Sequence, residues 1–519
     1  EVSEFIYKRT YSRWLEEEGR REDWPETIER FIGFIISKRP DIPEKTVSKI
    51  RKYMTEFAVM PSMRFLWAAG PAAEADNTAI YNCSFAKINS VDAFSECLYI
   101  LMCGTGFGFS VEQNEVDKLP EIPEIKSGQG LGKVLIEDSK KGWADSVKIL
   151  MNSLYKGQNL YFDYSAIRPE GARLMTMGGR ASGPAPLVKL HDFMRETMHN
   201  AQGRKLTTLE AHDICNQIAE IVVVGGVRRS SQISLSDLDD KDMRHAKEWP
   251  FPIKRAMANN SAVFREKPSA AQFLKEWASL ALSGTGERGI FNLSAAQSRA
   301  PSRRYAPLIQ GTNPCGEIML RDMEFCNLSE VVVREEDDLD TLLDKVETAT
   351  WLGVIQSTFT DFPYLRKEWK KNCDVERLLG VSLTGQMDNP SILTSEALKA
   401  LKSRVLRISR KAANILGINV PVATTCVKPS GTVSQLVDSA SGVHPRYSQY
   451  YIRRYRIAAR DPLFMMMKDA GIKAHPENGQ TEEDATTWVL EFPVKSPEGC
   501  MTRKDVSALD QLSHYKNLQ

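Results

Sequence analysis

Apolar residues recur at three- and four-residue spacing through TIERFIGFIISK and TVSKIRKYMTEFAVM, which predicts a helical region over residues 1–60. After MPSMRFLWAAGP the pattern changes. Short apolar runs follow (IYNCSFA, GFGFSVE, EIVVVGG, SQISLS, IFNLS, GEIMLR, EVVVRE and LLGVSLTG), and each reads as a strand. Between them DSVKILMNSLYKG, PLVKLHDFMRETMHNAQ, TLEAHDICNQIAE and AAQFLKEWASLAL carry helical periodicity. Strands alternating with amphipathic helices predict an α/β architecture over residues 61–519, with a mostly parallel sheet or barrel. The closing TTWVLEFPVKSPEGC and DVSALDQLSHYKNLQ predict a strand, a loop and a helix.

Composition narrows this picture only a little. The 519 residues are 42% hydrophobic and 26% charged, with a formal net charge of +1, so no overall field directs the chain to nucleic acid or membrane. No apolar run approaches the ~18–20 residues of a membrane span. The opening EVSEFIYKRTYSRW is charged and aromatic and does not read as a secretion signal. Nine irregularly spaced cysteines with no CxxC suggest reduced thiols in the cytoplasm, and the lack of a compact Cys/His cluster argues against a metal site.

The candidate chemistry begins at GTNPCGEIML, where Asn313, Cys315 and Glu317 occupy alternate positions. In an extended segment they project to one face, and an amide, a thiol and a carboxylate suit an active site better than an apolar core. Cys326, in RDMEFCNLSE, follows a strand-like run, and a hairpin joining GEIML to FCNLSEVVV returns it toward the cluster. Cys83 sits centrally in IYNCSFA. Three cysteines on converging strands suggest thiol redox chemistry. In VKPSGTVSQL, residues Ser430, Gly431, Thr432 and Ser434 form a hydroxyl-rich turn that serves equally as an anion site or a plain helix cap. The glycines of CGTGFGFSVE do not match GxGxxG, so a close backbone approach to a ligand or a sharp strand entry is the better reading. VVVGGVRRSSQIS sets Arg228 and Arg229 in a glycine-serine loop, which suits a nucleotide-reading loop or a solvated basic turn.

Taken in order, YNCSF, GTGFGFS, GGVRRSS, NPCGEI, EFCNL, GVSLTG and KPSGT resemble the catalytic subunit of ribonucleotide reductase over nearly the whole chain. The opening TYSRWLEEEGRREDWPETIERF and the later GVHPRYSQYYIRR are most similar to the class II, adenosylcobalamin-dependent branch. The resemblance implies a ten-stranded α/β barrel around a finger loop carrying Cys315. It implies that Cys315 becomes a thiyl radical and takes the ribose 3′-hydrogen, and that Glu317 is the general base. Asn313 would bind the substrate hydroxyls, and Cys83 with Cys326 would supply two electrons and become a disulfide. Substrate contacts would come from Ser62, Asn82, Gly106, Pro429, Ser430, Gly431, Thr432, Val433 and Ser434. Val227, Arg228 and Arg229 would belong to the loop that relays effector identity. The implied partners are ribonucleoside di- or triphosphates, dNTP or ATP effectors and a thioredoxin-like reductant.

Several departures shape these expectations. No C-terminal cysteine pair appears before Gln519, and the last barrel elements that the resemblance implies are expected to be missing, disordered or on another polypeptide. No DxHxxG stretch is present, so corrin contacts are expected from scattered loops. Between GFGFSVE and GWADSV the chain is short, where monomeric class II relatives carry an insertion imitating a dimer partner, and this favours a homodimer. The alternatives are a class I-type subunit that receives its radical from a separate metal-containing subunit, and an inactive nucleotide-binding relative.

Overall fold

The computed structural model describes residues 2–126, 133–172, 181–224, 231–428, 430–459 and 461–519. Near the N-terminus, helix α1 (Trp24–Lys38) opens with a capping box in which Asp23 and Glu26 satisfy each other's backbone amides, and it buries Ile28, Phe31, Ile32 and Ile35. Helix α2 (Glu44–Thr55) packs against α1 through Val47, Ile50 and Met54. These helices have no core of their own. Phe34 stacks on Phe359 at 5.2 Å between ring centroids, and one apolar cluster runs from Phe5 to Phe492.

The chain then alternates strands and helices as its pattern predicts. The strands that frame the site are β1 (Val59–Pro61), β2 (Cys83–Lys87), β3 (Gly106–Ser110), β4 (Gln232–Asp237), β5 (Ala258–Phe264), β6 (Gly289–Asn292), β7 (Gly311–Thr312), β8 (Met319–Leu320), β9 (Glu324–Phe325), β10 (Ser329–Val332) and β11 (Val381–Thr384). A six-stranded sheet has the order β6-β5-β4-β3-β2-β9, parallel except for the antiparallel edge strand β9. A second sheet has the order β11-β10-β1, and Thr425 bridges the outer side of β11. β7 and β8 form a separate antiparallel hairpin. The α/β class is as expected, and the described strands group into these sheets rather than into one traced ten-stranded ring.

Helices α3 (Val91–Met102), α4 (Lys140–Leu154), α5 (Ala185–Asn200) and α6 (Thr208–Val224) pack in a ring, each against the next and α6 against α3. The run EIVVVGG was expected to be a strand, yet α6 continues through Val224. Ile214, Ile218, Ile221 and Val222 are buried, so burial in the bundle overrides the β-preference of a branched run. No helix among the described residues is long and apolar enough to cross a membrane.

Candidate active site

The segment GTNPCGEIML is a hairpin tip, not an extended stretch. The Gly316 amide donates to the Asn313 carbonyl at 2.9 Å, closing a turn with Pro314 at its second position and Gly316, at φ +82°, at its fourth. The Asn313 side chain then fixes the tip. Its Oδ1 accepts from the Ile318 amide at 3.0 Å, and its Nδ2 donates to Glu317 Oε2 at 2.8 Å. Asn313 and Glu317 therefore meet because the chain folds back, not because alternate side chains share a strand face.

The sheet is shaped to receive this hairpin. Along β3 the large side chains Phe107 and Phe109 are buried, and the intervening Gly106 and Gly108 turn the other face toward the hairpin. A Cβ on Gly108 would lie 2.4 Å from the Thr312 carbonyl oxygen, and one on Gly106 would lie 3.1 Å from Cys83 Sγ and 3.3 Å from Pro314. A Cβ on Gly311 would meet the Phe85 ring at 2.2 Å. The close approach that these glycines permit is thus made by the chain's own hairpin, where the sequence suggested a ligand.

Cys326 reaches the site by a different route from the one expected. β8 pairs with β7, whereas β9 pairs with β2, and the Cys326 amide donates to the Cys83 carbonyl at 2.9 Å. The Cys83 thiol is in hydrogen-bond contact with both Cys315 and Cys326. Cys83 and Cys326 are buried, while Cys315 at the hairpin tip is exposed, and all three are free thiols. Contact with Cys315 favours a Cys83 thiolate, but hydrogen bonding to Cys326 and full burial outweigh it and push Cys83 well above the usual thiol range. Cys315 is pushed well up too, first by its hydrogen bond with Cys83 and then by desolvation. Thiols held protonated keep their S–H bonds, which suits hydrogen-atom transfer and disfavours thiolate nucleophilic chemistry.

Burial raises the Glu317 carboxyl above its ordinary range, opposed by the Asn313 hydrogen bond and by Lys428. Lys428 lies beyond Cys426 on the segment beside β11, and its Nζ donates to Glu330 Oε2 of β10 at 2.8 Å. Sequence reading passed over Lys428 and Glu330. The one available signal was a lysine directly before PSGT, and its partner is 98 positions away. At the base of the hairpin, buried Arg304 donates to the Met319 carbonyl at 2.8 Å and pairs with Glu376 at 2.6 Å and Glu324 at 3.3 Å. Burial and the Glu376 charge push Glu324 well above the usual carboxylate range.

The remaining expected residues spread around this centre. Ser62 caps the helix Met63–Ala68 by accepting from the Phe65 amide at 3.1 Å. Asn82 accepts from the Arg64 amide at 3.4 Å, and its carbonyl accepts from the Gly106 amide at 2.8 Å. Ser430 is buried and its Oγ has no hydrogen-bond partner, whereas Ser434 Oγ donates to the Gly431 carbonyl at 2.8 Å. Gly431 precedes the short helix Thr432–Leu436, which carries Val433. Pro429, Val227, Arg228 and Arg229 lie outside the described residues.

Comparison with known proteins points to one family. The ribonucleotide reductase alpha domain model matches residues 1–71, and the model of the B12-dependent ribonucleotide reductase insertion domain matches residues 127–198. The chain is similar to the B12-dependent ribonucleotide reductases. Two adenosylcobalamin-dependent ribonucleoside-triphosphate reductases, from Lactobacillus delbrueckii subsp. bulgaricus and Levilactobacillus brevis, are each 29% identical to it, over 94% and 96% of this chain and 79% of their own length. A crystal structure of a B12-dependent (class II) ribonucleotide reductase superposes with a TM-score of 0.82 at 26% identity, covering 99% of this chain and 84% of that one. A class Id ribonucleotide reductase alpha subunit from Actinobacillus ureae shares the fold, with a TM-score of 0.54 at 14% identity over 91% of this chain and 79% of that one.

The insertion-domain match corrects one expectation. The reductase relative was read as lacking an insertion after GFGFSVE, yet the match spans residues 127–198 and contains all of α4 and most of α5. These two helices pack on α3 and α6 within the same chain. The argument for a homodimer from a missing insertion therefore falls.

Proposed function

We propose that this chain reduces ribonucleotides to 2′-deoxyribonucleotides, with Cys315, Cys83 and Cys326 as its redox-active thiols. The observation that carries the reading is the convergence of three free thiols beside a carboxylate held by Asn313. In this scheme Cys315, as a thiyl, takes the ribose 3′-hydrogen, and Glu317 takes the proton of the 3′-hydroxyl. Asn313 fixes Glu317 and donates to the substrate hydroxyls. The 2′-hydroxyl leaves as water, Cys83 and Cys326 give two electrons and two protons, and a disulfide forms between them. Cys315 then returns its hydrogen to the 3′-carbon, and Glu317 returns its proton to the 3′-oxygen.

Adenosylcobalamin supplies, when bound, an organic radical able to take a hydrogen atom from a thiol. The residues fit that role, because Cys315 is exposed at a hairpin tip while the two electron-donating thiols behind it are buried. Close packing of the hairpin against β3 keeps water from the thiols behind the tip. The orphaned Ser430 hydroxyl is the donor we assign to a substrate phosphate, just ahead of the helix Thr432–Leu436. The relatives named above act on ribonucleoside triphosphates, and we assign the same substrate class here, with dNTP or ATP effectors read by the Val227–Arg229 loop. A thioredoxin-like dithiol in the cytoplasm would re-reduce the disulfide. The two sheets would complete the ten-stranded barrel of the family around the hairpin.

The test is anaerobic incubation with ribonucleoside triphosphates, dithiothreitol and adenosylcobalamin, beside a Cys315→Ala control. Deoxynucleotide that requires both the cofactor and Cys315 is expected. Product only after adding a separate radical-generating subunit would move the chain to the class I mechanism, and nucleotide binding without reduction would sink the proposal.

A further inference from the structure

Lys428 and Glu330 form an ion pair where a folded chain has little reason to keep one. Their side chains are only 10% and 2% exposed. Removing two charges from water is costly, and an apolar pair of similar volume often serves stability as well or better. Glu330 Oε1 also has no hydrogen-bond partner, so the pair is not fully satisfied internally. The two residues come from different parts of the fold, Glu330 from β10 and Lys428 from the irregular segment beyond the Thr425 bridge to β11. Both lie within electrostatic reach of Glu317, which projects from the hairpin tip.

We propose that Lys428 and Glu330 are a positioning pair for proton transfer at Glu317, with Lys428 as the countercharge to its carboxylate and Glu330 holding the ammonium in place and tempering its field. This rests on the reading of Glu317 as the general base. The groups facing Glu317 are Asn313, Cys83, Cys315, Cys426, Glu330 and Lys428, and Lys428 is the cation among them. A base in such a dry setting is otherwise held protonated, and a protonated carboxyl cannot take the 3′-hydroxyl proton. Burial works against the Lys428 charge, but Glu330, Glu317 and Cys426 together raise its proton affinity above the ordinary lysine value, so it stays an ammonium at neutral pH. The same charge favours the thiolate of Cys315.

The two members of the pair act on Glu317 with opposite sign, and this separates a tuning role from a structural one. In Lys428→Met the acid limb of the kcat/KM profile moves up by about one pH unit, whereas in Glu330→Gln it moves down, and Lys428→Arg leaves it in place. A second readout needs no reductase activity. Alkylation of Cys315 by iodoacetamide, followed by peptide mass spectrometry across alkaline pH, is slowed several-fold by Lys428→Met, is not slowed by Glu330→Gln and is preserved in Lys428→Arg. The double variant Lys428→Met/Glu330→Gln removes both charges together and controls for unfolding by an unpaired buried charge. Loss of activity in both single variants with an unmoved acid limb and unchanged alkylation would overturn the proposal. If the unsubstituted protein makes no deoxynucleotide, the reductase reading fails by itself. The alkylation arm then still decides the charge coupling, and equal rates in Lys428→Met and the unsubstituted protein would refute it.

Discussion

Replacing Gly108 with alanine tests whether the hairpin is held by backbone contact with the sheet. The new Cβ would lie 2.4 Å from the Thr312 carbonyl oxygen, 3.2 Å from Ile233 Cγ2 and 3.2 Å from the Ser84 carbonyl oxygen. Ordinary contact begins near 3.4 Å, so the closest approach is about 1 Å too short, and the atom it meets is backbone that has no rotamer to yield. Thr312 immediately precedes Asn313, and a retreat there carries the whole tip, Cys315 included, away from Cys83. A misplacement of about 1 Å at reacting groups costs about a hundredfold in rate, equivalent to ~2.7 kcal/mol. The methyl itself should cost ~1–3 kcal/mol of stability. Turnover at saturating substrate is measured beside a denaturant melt, so that a folded but slow enzyme is distinguished from an unfolded one. Gly106→Ala is the internal comparison. Its Cβ meets the Cys83 and Pro314 side chains at 3.1 and 3.3 Å and the Ser231 carbonyl oxygen at 3.3 Å, contacts that a shift of a few tenths of an ångström relieves, and the loss should be smaller. A folded Gly108→Ala protein turning over within about threefold of the unsubstituted one, far short of the hundredfold loss that misplacement carries, would show that this contact does not set the position of Cys315.

Three further outcomes follow from the same geometry. Mild oxidation of the reduced protein should link Cys83 to Cys326, seen as one cross-linked peptide by mass spectrometry, and Cys326→Ser should abolish both this peptide and multiple-turnover product. Arg304→Met should destabilise the fold by ~3–5 kcal/mol in a denaturant melt, because it strips Glu324 of its buried cation and leaves Glu376 only the more distant Arg321, at 3.9 Å. Burial holds His191 and His212 in the helix ring at about 3, below an unfolded value of ~6.5. The unfolded chain therefore takes up protons that the folded chain refuses. Their contribution is complete above pH ~6.5 and is lost as pH falls, by ~3 kcal/mol for the two together at about pH 5.5, which stability measured against pH will show.

The α/β class and the five clustered residues were legible because strand and helix periodicities alternate and because cysteines, an amide and a carboxylate stand out against an apolar pattern. How they meet was less legible. NPCG carries turn chemistry, with proline second and glycine fourth, but alternation of polar residues suggested an extended strand instead. The glycines of GTGFGFS signalled a close approach, and only the fold identifies the hairpin as what approaches. EIVVVGG misled because a short branched run with residues buried in a bundle, as Ile221 and Val222 are, has the same pattern as a buried strand. Lys428 and Glu330 were invisible, since an ion pair between residues 98 positions apart leaves no local signature.

Cys83 is shared between two neighbours, touching Cys315 on one side and Cys326 on the other. On the proposed chemistry, that sharing works as an interlock. Once Cys83 is committed to a bond with Cys326 its sulfur is half of a disulfide, and Cys315 no longer has a thiol beside it to accept its hydrogen. The tip of the hairpin thus has two settings, one when electrons are in store and one when they are spent. A chain that must not start a radical without the means to quench it carries its fuel gauge one hydrogen bond from the ignition point.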